Sequence, residues 1–398
     1  EGVHARVAWP RRVSRVCRMV FGLHWYWQPS TFAGCFIFAL ISLACWGSWS
    51  NTAKASEHIP FAVYYLDFSI GLFAVAALAF LTVGGLVFND GQIDSSPQEP
   101  TGCSLKVLAA VGAGTLFNVA NVLLVIGVQL AGLAVAFPVG IGLALVLGTL
   151  LTFLIDPHGN SAGPLFTGVA LAFLAILCQV KAKLALDEDL RTEKTPTIVG
   201  SVREAARAPA DDSTRLVEQR AATGMSKQQK ALAVCVACGL LMSLWSPLSA
   251  YAMSTNSSGK DGYAGMWECS LTPYSTYLLF TAAALASSLL ICKLLMERPL
   301  VGERSSFADW KKLSRRDHGY GLAGGAICAT GTLCNLLAGE QIGMALSYAV
   351  GQAAPMVATL WGLFYYREFR GAPKQSMQFV GLMFVLYVGA ILLIASSK

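Results

Sequence analysis

GEQIGMALSYAVGQAAPMVATLWGLFYYREFR, residues 339–370, decides how this chain is to be read. It is a helix-length apolar run crowded with Gly and Ala, interrupted by Pro355, with Gln352 near its middle and the Glu340 carboxylate at its entry. Such a segment packs closely against its neighbours and holds polar groups where water is scarce, which is the behaviour of a helix inside a membrane.

The rest of the chain has the same character. Its 398 residues are 55% hydrophobic and 13% charged, with a mean hydropathy of +0.55, whereas ordinary globular domains carry about 25% charged residues. Ten apolar runs are long enough to cross a hydrocarbon core about 30 Å thick. They are approximately Thr31 to Ser50, Tyr65 to Phe88, Lys106 to Val128, Ala131 to Leu154, Pro164 to Ala182, Lys230 to Ser249, Pro273 to Leu295, Gly319 to Leu337, Gly343 to Tyr366 and Gln375 to Ser396. The third and fourth runs, and the eighth and ninth, are separated by a handful of residues and must form tight antiparallel hairpins. The formal charge of +6 lies between the runs and not in one basic stripe, so it reads as membrane-orienting charge and not as a nucleic-acid surface.

The one long polar segment, residues 183–229, is rich in charge and poor in aromatics and reads as a disordered linker. It divides the chain into a first five-helix block at 31–182 and a second at 230–396, preceded by an N-terminal segment, 1–30. Five Arg precede Met19, and residues 1–18 read as a targeting segment or a misread gene start. Shifting the second block onto the first by 211 positions places Gly132, Ala134, Phe137, Val139 and Gly140 on Gly343, Ala345, Tyr348, Val350 and Gly351. Trp49-Ser50 likewise resembles Trp245-Ser246. Because five is odd, the second copy must be inverted relative to the first. The expected fold is therefore an all-α polytopic membrane protein of ten transmembrane helices in two inverted five-helix repeats, an architecture used by many secondary transporters. Placing the linker in the cytoplasm puts 21 of the 29 Lys and Arg on that side and 8 opposite, so both ends lie outside. The same topology places outside a sequon at Asn256 and the two thiols of Cys103 and Cys269, whose pairing is left open.

Polar side chains at mid-depth face neighbouring helices or a cavity. Candidate binding residues are Trp46, Trp49, Asn118, Asn121, Trp245, Ser246, Tyr348, Gln352 and Trp361. Asn118 and Asn121 serve equally well as interhelical hydrogen-bond glue, and the tryptophans as packing or interface anchors. Gln352 stands between Gly351 and Pro355, where the helix is loosened, and is favoured for binding. Asp67, near the start of the second run, and Glu340, in the eighth-to-ninth turn, are proton-coupling candidates, although a helix cap and a turn residue are the plainer readings. Cys235 and Cys238 form a CxxC without a second pair, on an apolar run. No GxxxxGK[ST], HExxH or GxSxG pattern occurs and the five His are dispersed, so no enzyme, metal site or cofactor is expected.

Several short stretches in order and spacing resemble the plant ureide permease family, within the drug/metabolite transporter superfamily. They are Gly47-Ser48-Trp49, Tyr65-Leu66-Asp67-Phe68-Ser69, Ser243-Leu244-Trp245-Ser246-Pro247, Leu271-Thr272-Pro273-Tyr274, Arg298-Pro299-Leu300 with Ser305-Ser306-Phe307, and Gln352 to Arg370 with Pro355, Thr359-Leu360-Trp361-Gly362 and Glu368. The resemblance implies ten helices, a cytoplasmic central loop, and uptake of uncharged nitrogen heterocycles such as allantoin, uracil or xanthine with protons. The chain departs from the family pattern at Ser50, where a proline is usual, at Phe117, where a glycine is expected, and at Tyr348 or Ala349, where plant members can carry an acidic residue. Related glucose/ribose porters share the late Trp-Gly and acidic-basic ending, which keeps a sugar open as the substrate. A receptor or scaffold is the reading from another class. The expected partners are a small-molecule substrate, protons and the lipid bilayer, with the plasma membrane as host and a homodimer left open.

Overall fold

A computed structural model describes residues 26–84, 101–132, 136–194, 227–254, 270–299 and 303–398. The sequon at Asn256, the Cys269 thiol, the side chain of Cys103, residues 1–18 and residues 195–226 of the linker lie outside the described residues. The first block contains α1 (Phe32–Trp46), α2 (Ser50–Ala55), α3 (Phe61–Leu81), α4 (Thr101–Ala131), a π turn (Phe137–Ile141), α5 (Gly142–Ile155) and α6 (Ala162–Lys194). The second contains α7 (Lys227–Met242), α8 (Trp245–Met253), α9 (Pro273–Glu297), α10 (Phe307–Lys312), α11 (Arg315–Ile342), α12 (Met344–Gly351), α13 (Ala354–Leu360), a π turn (Trp361–Tyr365) and α14 (Lys374–Ala395).

Among the described residues nine helical spans are long and apolar enough to cross a membrane. The remaining expected run, Gly343 to Tyr366, is broken into α12, α13 and the second π turn. Pro355 has no N–H to donate to the Gly351 carbonyl, so the helix cannot run straight through this point. Other boundaries differ from the apolar runs in instructive ways. α3 begins at Phe61, one turn ahead of Tyr65, so Asp67 lies within the helix and is buried. α6 continues to Lys194, past the point where the linker was expected to begin. Glu340 belongs to the last turn of α11, and the reversal into α12 falls on Gly343 alone, at φ +98°, a backbone conformation that glycine adopts without penalty.

The packing is inverted relative to a water-soluble protein. Leu382, Val385, Val388 and Leu392 of α14 are exposed on the outside, while Ser42, Thr149, Ser246, Asn335 and Ser347 are fully buried. An apolar exterior of this extent requires hydrocarbon around it. Apolar helices gain nothing hydrophobic by leaving lipid for one another, so association relies on close backbone approach and interhelical hydrogen bonds. α11 is the central helix, flanked by α1 and α3, and a Cβ on its Gly325 would collide with the Phe68 carbonyl oxygen of α3. α9 lies against α3 and α4, the α7–α8 pair lies on α4, and α6 lies along α14, joined by the Ser376 hydroxyl donating to the Ala182 carbonyl at 2.7 Å.

Candidate functional site

Three helix breaks bring their side chains together near the middle of the bundle. α1 stops at Trp46 and resumes as α2 after Gly47–Trp49, and α7 stops at Met242 and resumes as α8 at Trp245. Pro247 cannot donate to the Ser243 carbonyl, which repeats the chemistry of Pro355 in the third break. The Trp46 and Trp245 rings meet edge to face at 5.8 Å, and Trp245 meets Tyr348 at 5.4 Å and Phe280 at 5.9 Å. The Trp46 indole N–H donates to Thr332 Oγ1 at 3.1 Å, and the Tyr348 hydroxyl donates to the Ala144 carbonyl at 3.1 Å. Gly351 lets the Trp46 ring lie against the backbone, since a Cβ there would stand 2.6 Å from the ring. Gln352, at the end of α12, is 8% exposed beside this cluster.

A cavity of about 800 Å³ opens at the end of the bundle that carries the linker. Its mouth is formed by residues of the α2–α3 and α9–α10 connections and of the segment following the second π turn, and its walls include Trp49, Tyr64, Gln179, Thr359 and Met383. The opposite end is held by hydrogen bonds between distant segments: Tyr26 to Glu340 Oε1 at 2.8 Å, Tyr274 to the Trp27 carbonyl at 2.7 Å, and Lys398 to the His158 carbonyl at 2.8 Å. At that end Asp156 is held below the usual carboxylate range, chiefly by its hydrogen bond with the His158 side chain.

The residues singled out from sequence divide into three groups. Trp46, Trp245, Tyr348 and Gln352 come together at the breaks, joined by Ser246, whose hydroxyl accepts from Thr152 at 3.1 Å, while Trp49 lines the cavity against Phe68. Asn118 and Asn121 are in a different place. Asn118 accepts from Tyr65 at 2.9 Å and Ser288 at 3.0 Å and donates to Ser287 at 2.8 Å, and Asn121 donates to Tyr65 at 3.1 Å. This network ties α3, α4 and α9 together, which is the glue arrangement. Trp361 also stands apart, 38% exposed, with its N–H donating to Ser48 at 2.9 Å. Asp67 accepts from the Trp310 indole at 2.9 Å and pairs with His318 Nδ1 at 2.7 Å, whereas Glu340 is held at the far end by Tyr26. Cys235 and Cys238 are buried free thiols within α7.

Other groups at the site were not legible as such. Gln179 and Thr359 belong to different blocks, yet Gln179 Nε2 donates to Thr359 Oγ1 at 3.0 Å. A glutamine within the fifth apolar run was the available signal. At the mouth, Glu368 binds Lys54 at 2.6 Å and also pairs with Lys183, while Lys54 lies 3.7 Å from the centre of the Tyr366 ring. Burial alone would raise the Glu368 carboxyl, but the hydrogen bonds from Lys183 and Lys54 outweigh it and hold the group below the usual carboxylate range.

Comparison with known proteins bears on this arrangement. The profile of the ureide permease family matches residues 179–397. The chain is 25% identical to ureide permease 4 of Arabidopsis thaliana, over 92% of this chain and 96% of that protein, and 25% identical to ureide permease 5 of the same plant, over 92% and 94%. It is 22% identical to the probable ureide permease A3 of Vigna unguiculata, over 86% and 96%. A solved crystal structure with 17% sequence identity superposes with a TM-score of 0.52, covering 90% of this chain and 94% of that one. That likeness concerns the fold alone.

Proposed function

The chain belongs to the ureide permease family, a family of multi-pass membrane transporters, and on that premise we propose that it is a secondary transporter moving small uncharged nitrogen heterocycles, such as allantoin, uracil or xanthine, by alternating access and with protons. The observation that carries this reading is the cavity of about 800 Å³, open at the linker end, with contacts between distant segments at the other. Such an asymmetry is what one of two alternating states requires. The positive-inside rule makes the open end cytoplasmic, and the plasma membrane is the expected host.

An inverted repeat of the two blocks is part of the proposed mechanism, and matched positions in the two blocks support it. The 196-residue offset that pairs Trp49 with Trp245 also carries the first break, Gly47-Ser48, onto the second, Ser243-Leu244. The 211-residue offset carries the π turn Phe137–Ile141 onto residues 348–352, where α12 ends. Packing pairs are matched in the same way: α1 and α3 on α11 correspond to α7–α8 and α9 on α4. A site at such breaks lies between the blocks, where rocking of one against the other exposes it to each side in turn. Of these residues Trp49 lines the cavity in this state, while Trp46, Trp245, Tyr348, Gln352 and Ser246 are packed against protein at the breaks. On this reading the rocking motion uncovers their rings to a planar ligand and their polar groups to its hydrogen bonds, without the desolvation penalty of a buried charge.

For the coupling proton Asp67 has the better claim than Glu340. Its carboxylate lies inside a membrane span paired with His318 Nδ1 at 2.7 Å, whereas Glu340 is held by Tyr26 at the opposite end. Uptake of labelled allantoin, uracil and glucose into transporter-deficient cells, with and without a pH gradient, tests the whole reading. Heterocycle uptake driven by the gradient is expected, and sugar uptake alone would refute it. Asp67→Asn should abolish the gradient dependence and Glu340→Gln should retain it.

A further inference from the structure

Gln179 is the wall residue whose hydrogen bonding is unfinished. Its Nε2 donates to Thr359 Oγ1 at 3.0 Å and lies 3.4 Å from the Pro355 carbonyl, while its Oε1 is buried with no hydrogen-bond partner. Exchanging the two ends of the carboxamide does not relieve this. The exchange would set Oε1 against the Pro355 carbonyl, oxygen against oxygen, and the Thr359 hydroxyl already donates to that carbonyl at 2.9 Å. The exchange would also leave Nε2 without an acceptor where Oε1 now lies, so the orientation that donates to Thr359 and leaves the acceptor open is the better one. A buried carbonyl oxygen left unpaired is unfavourable, and native proteins retain few such groups. This one belongs to a side chain that lines the cavity, on the same wall as Thr359 and Met383; the oxygen itself is covered in this state, so a ligand reaches it when the wall opens around it.

We infer that Gln179 is a specificity-determining residue of the proposed transport site, where its Oε1 accepts a hydrogen bond from an N–H group of an amide- or urea-containing ligand. The inference rests on the transport reading above and adds the residue that selects for the donor. Thr359 acts as a positioning residue, because its hydroxyl holds the carboxamide so that the oxygen, and not the nitrogen, is offered. The segment presenting Thr359 follows the break at Gln352, and Gln179 comes from the first block, so the contact joins both blocks at the ligand. A ligand that has lost its N–H groups to methylation gains nothing from this acceptor.

The test is concentration-dependent uptake of labelled uracil, with competition by its doubly N-methylated derivative, in cells expressing wild type, Gln179→Met, Gln179→Glu or Thr359→Val, each normalised to surface protein. Gln179→Met keeps the volume and removes the acceptor. It should raise KM for uracil about fivefold to tenfold, the worth of one buried hydrogen bond, with the maximal rate per surface molecule unchanged within about twofold. Preference for uracil over the methylated competitor should shrink by the same factor. Gln179→Glu keeps an acceptor when its carboxyl is protonated, the O–H taking the place of Nε2 beside Thr359 and Pro355, and should retain the preference at low external pH, which separates donor recognition from packing. Thr359→Val should weaken the preference by freeing the carboxamide to turn. An unchanged KM and preference in Gln179→Met, with the wild type transporting uracil, overturns this inference alone. A wild type that carries neither uracil nor allantoin overturns the transport reading and this inference with it.

Discussion

Asn118→Leu separates a residue that holds helices together from one that holds a ligand. Asn118 makes three side-chain hydrogen bonds, with Tyr65 at 2.9 Å, Ser288 at 3.0 Å and Ser287 at 2.8 Å, and all three partners lie on other helices. Interhelical hydrogen bonds within membranes are worth about 0.6 kcal/mol each on average and about 1.7 at most, so their loss together destabilises by about 2 kcal/mol. The lower part of that range applies, because two of the partners keep alternatives. Ser288 retains Ser69 at 2.7 Å, and Ser287 retains the Ala283 carbonyl at 2.8 Å. Tyr65 keeps Asn121 as a donor but loses the acceptor for its own proton. At about 1–2 °C per kcal/mol for a chain of this length, the melting temperature of the detergent-solubilised protein should fall by about 2–4 °C. Uptake per molecule at the surface should keep its KM. An unaltered melting temperature together with a KM raised tenfold would refute the reasoning, because Asn118 would then be serving the ligand and not the bundle.

Two further outcomes follow from the packing and the charges. Gly325→Ala should abolish surface expression, because the new methyl group meets the backbone carbonyl of Phe68, while Gly381→Ala on α14, with nothing within 4 Å of its Cβ, should express normally; surface biotinylation compares them. Glu368→Gln should destabilise the protein by about 1 kcal/mol at neutral pH, a modest value because the pair is partly exposed. The folded carboxyl titrates below its ordinary value, so its contribution is present in full above that ordinary value and is lost as pH falls through the depressed one. Melting curves of wild type and variant should therefore converge as pH is lowered from 7 toward about 4.

Much of the site was written in local chemistry. Gly351 and Pro355 announce a weakened helix around Gln352 from residue type alone, and the fold breaks there for the reason the missing N–H supplies. The Trp-Ser pairs at Trp49 and Trp245 read from sequence only as a repeat within unbroken runs, and the structure places a helix break at each. Asn118 and Trp361 show where this kind of reading stops. Each is a polar or amphipathic side chain on an apolar run, and the sequence cannot say whether the face it occupies meets a cavity, a neighbouring helix or the exterior. Asp67 reads as a residue at a helix start when the apolar run is counted from Tyr65, but α3 begins at Phe61 and closes the carboxylate under Trp310 and His318, more than two hundred positions away.

Residues 339–370 by themselves required a membrane helix that packs closely and breaks near its middle, since hydropathy, glycine content and a proline without N–H are properties of the segment alone. The pairing of the Thr359 hydroxyl with Gln179, of Trp361 with Ser48 and of Glu368 with Lys54 and Lys183 was decided only by tertiary structure. Each contact spans well over a hundred residues of chain. Its formation depends on how helices rotate and approach one another in the bundle, which no local pattern encodes.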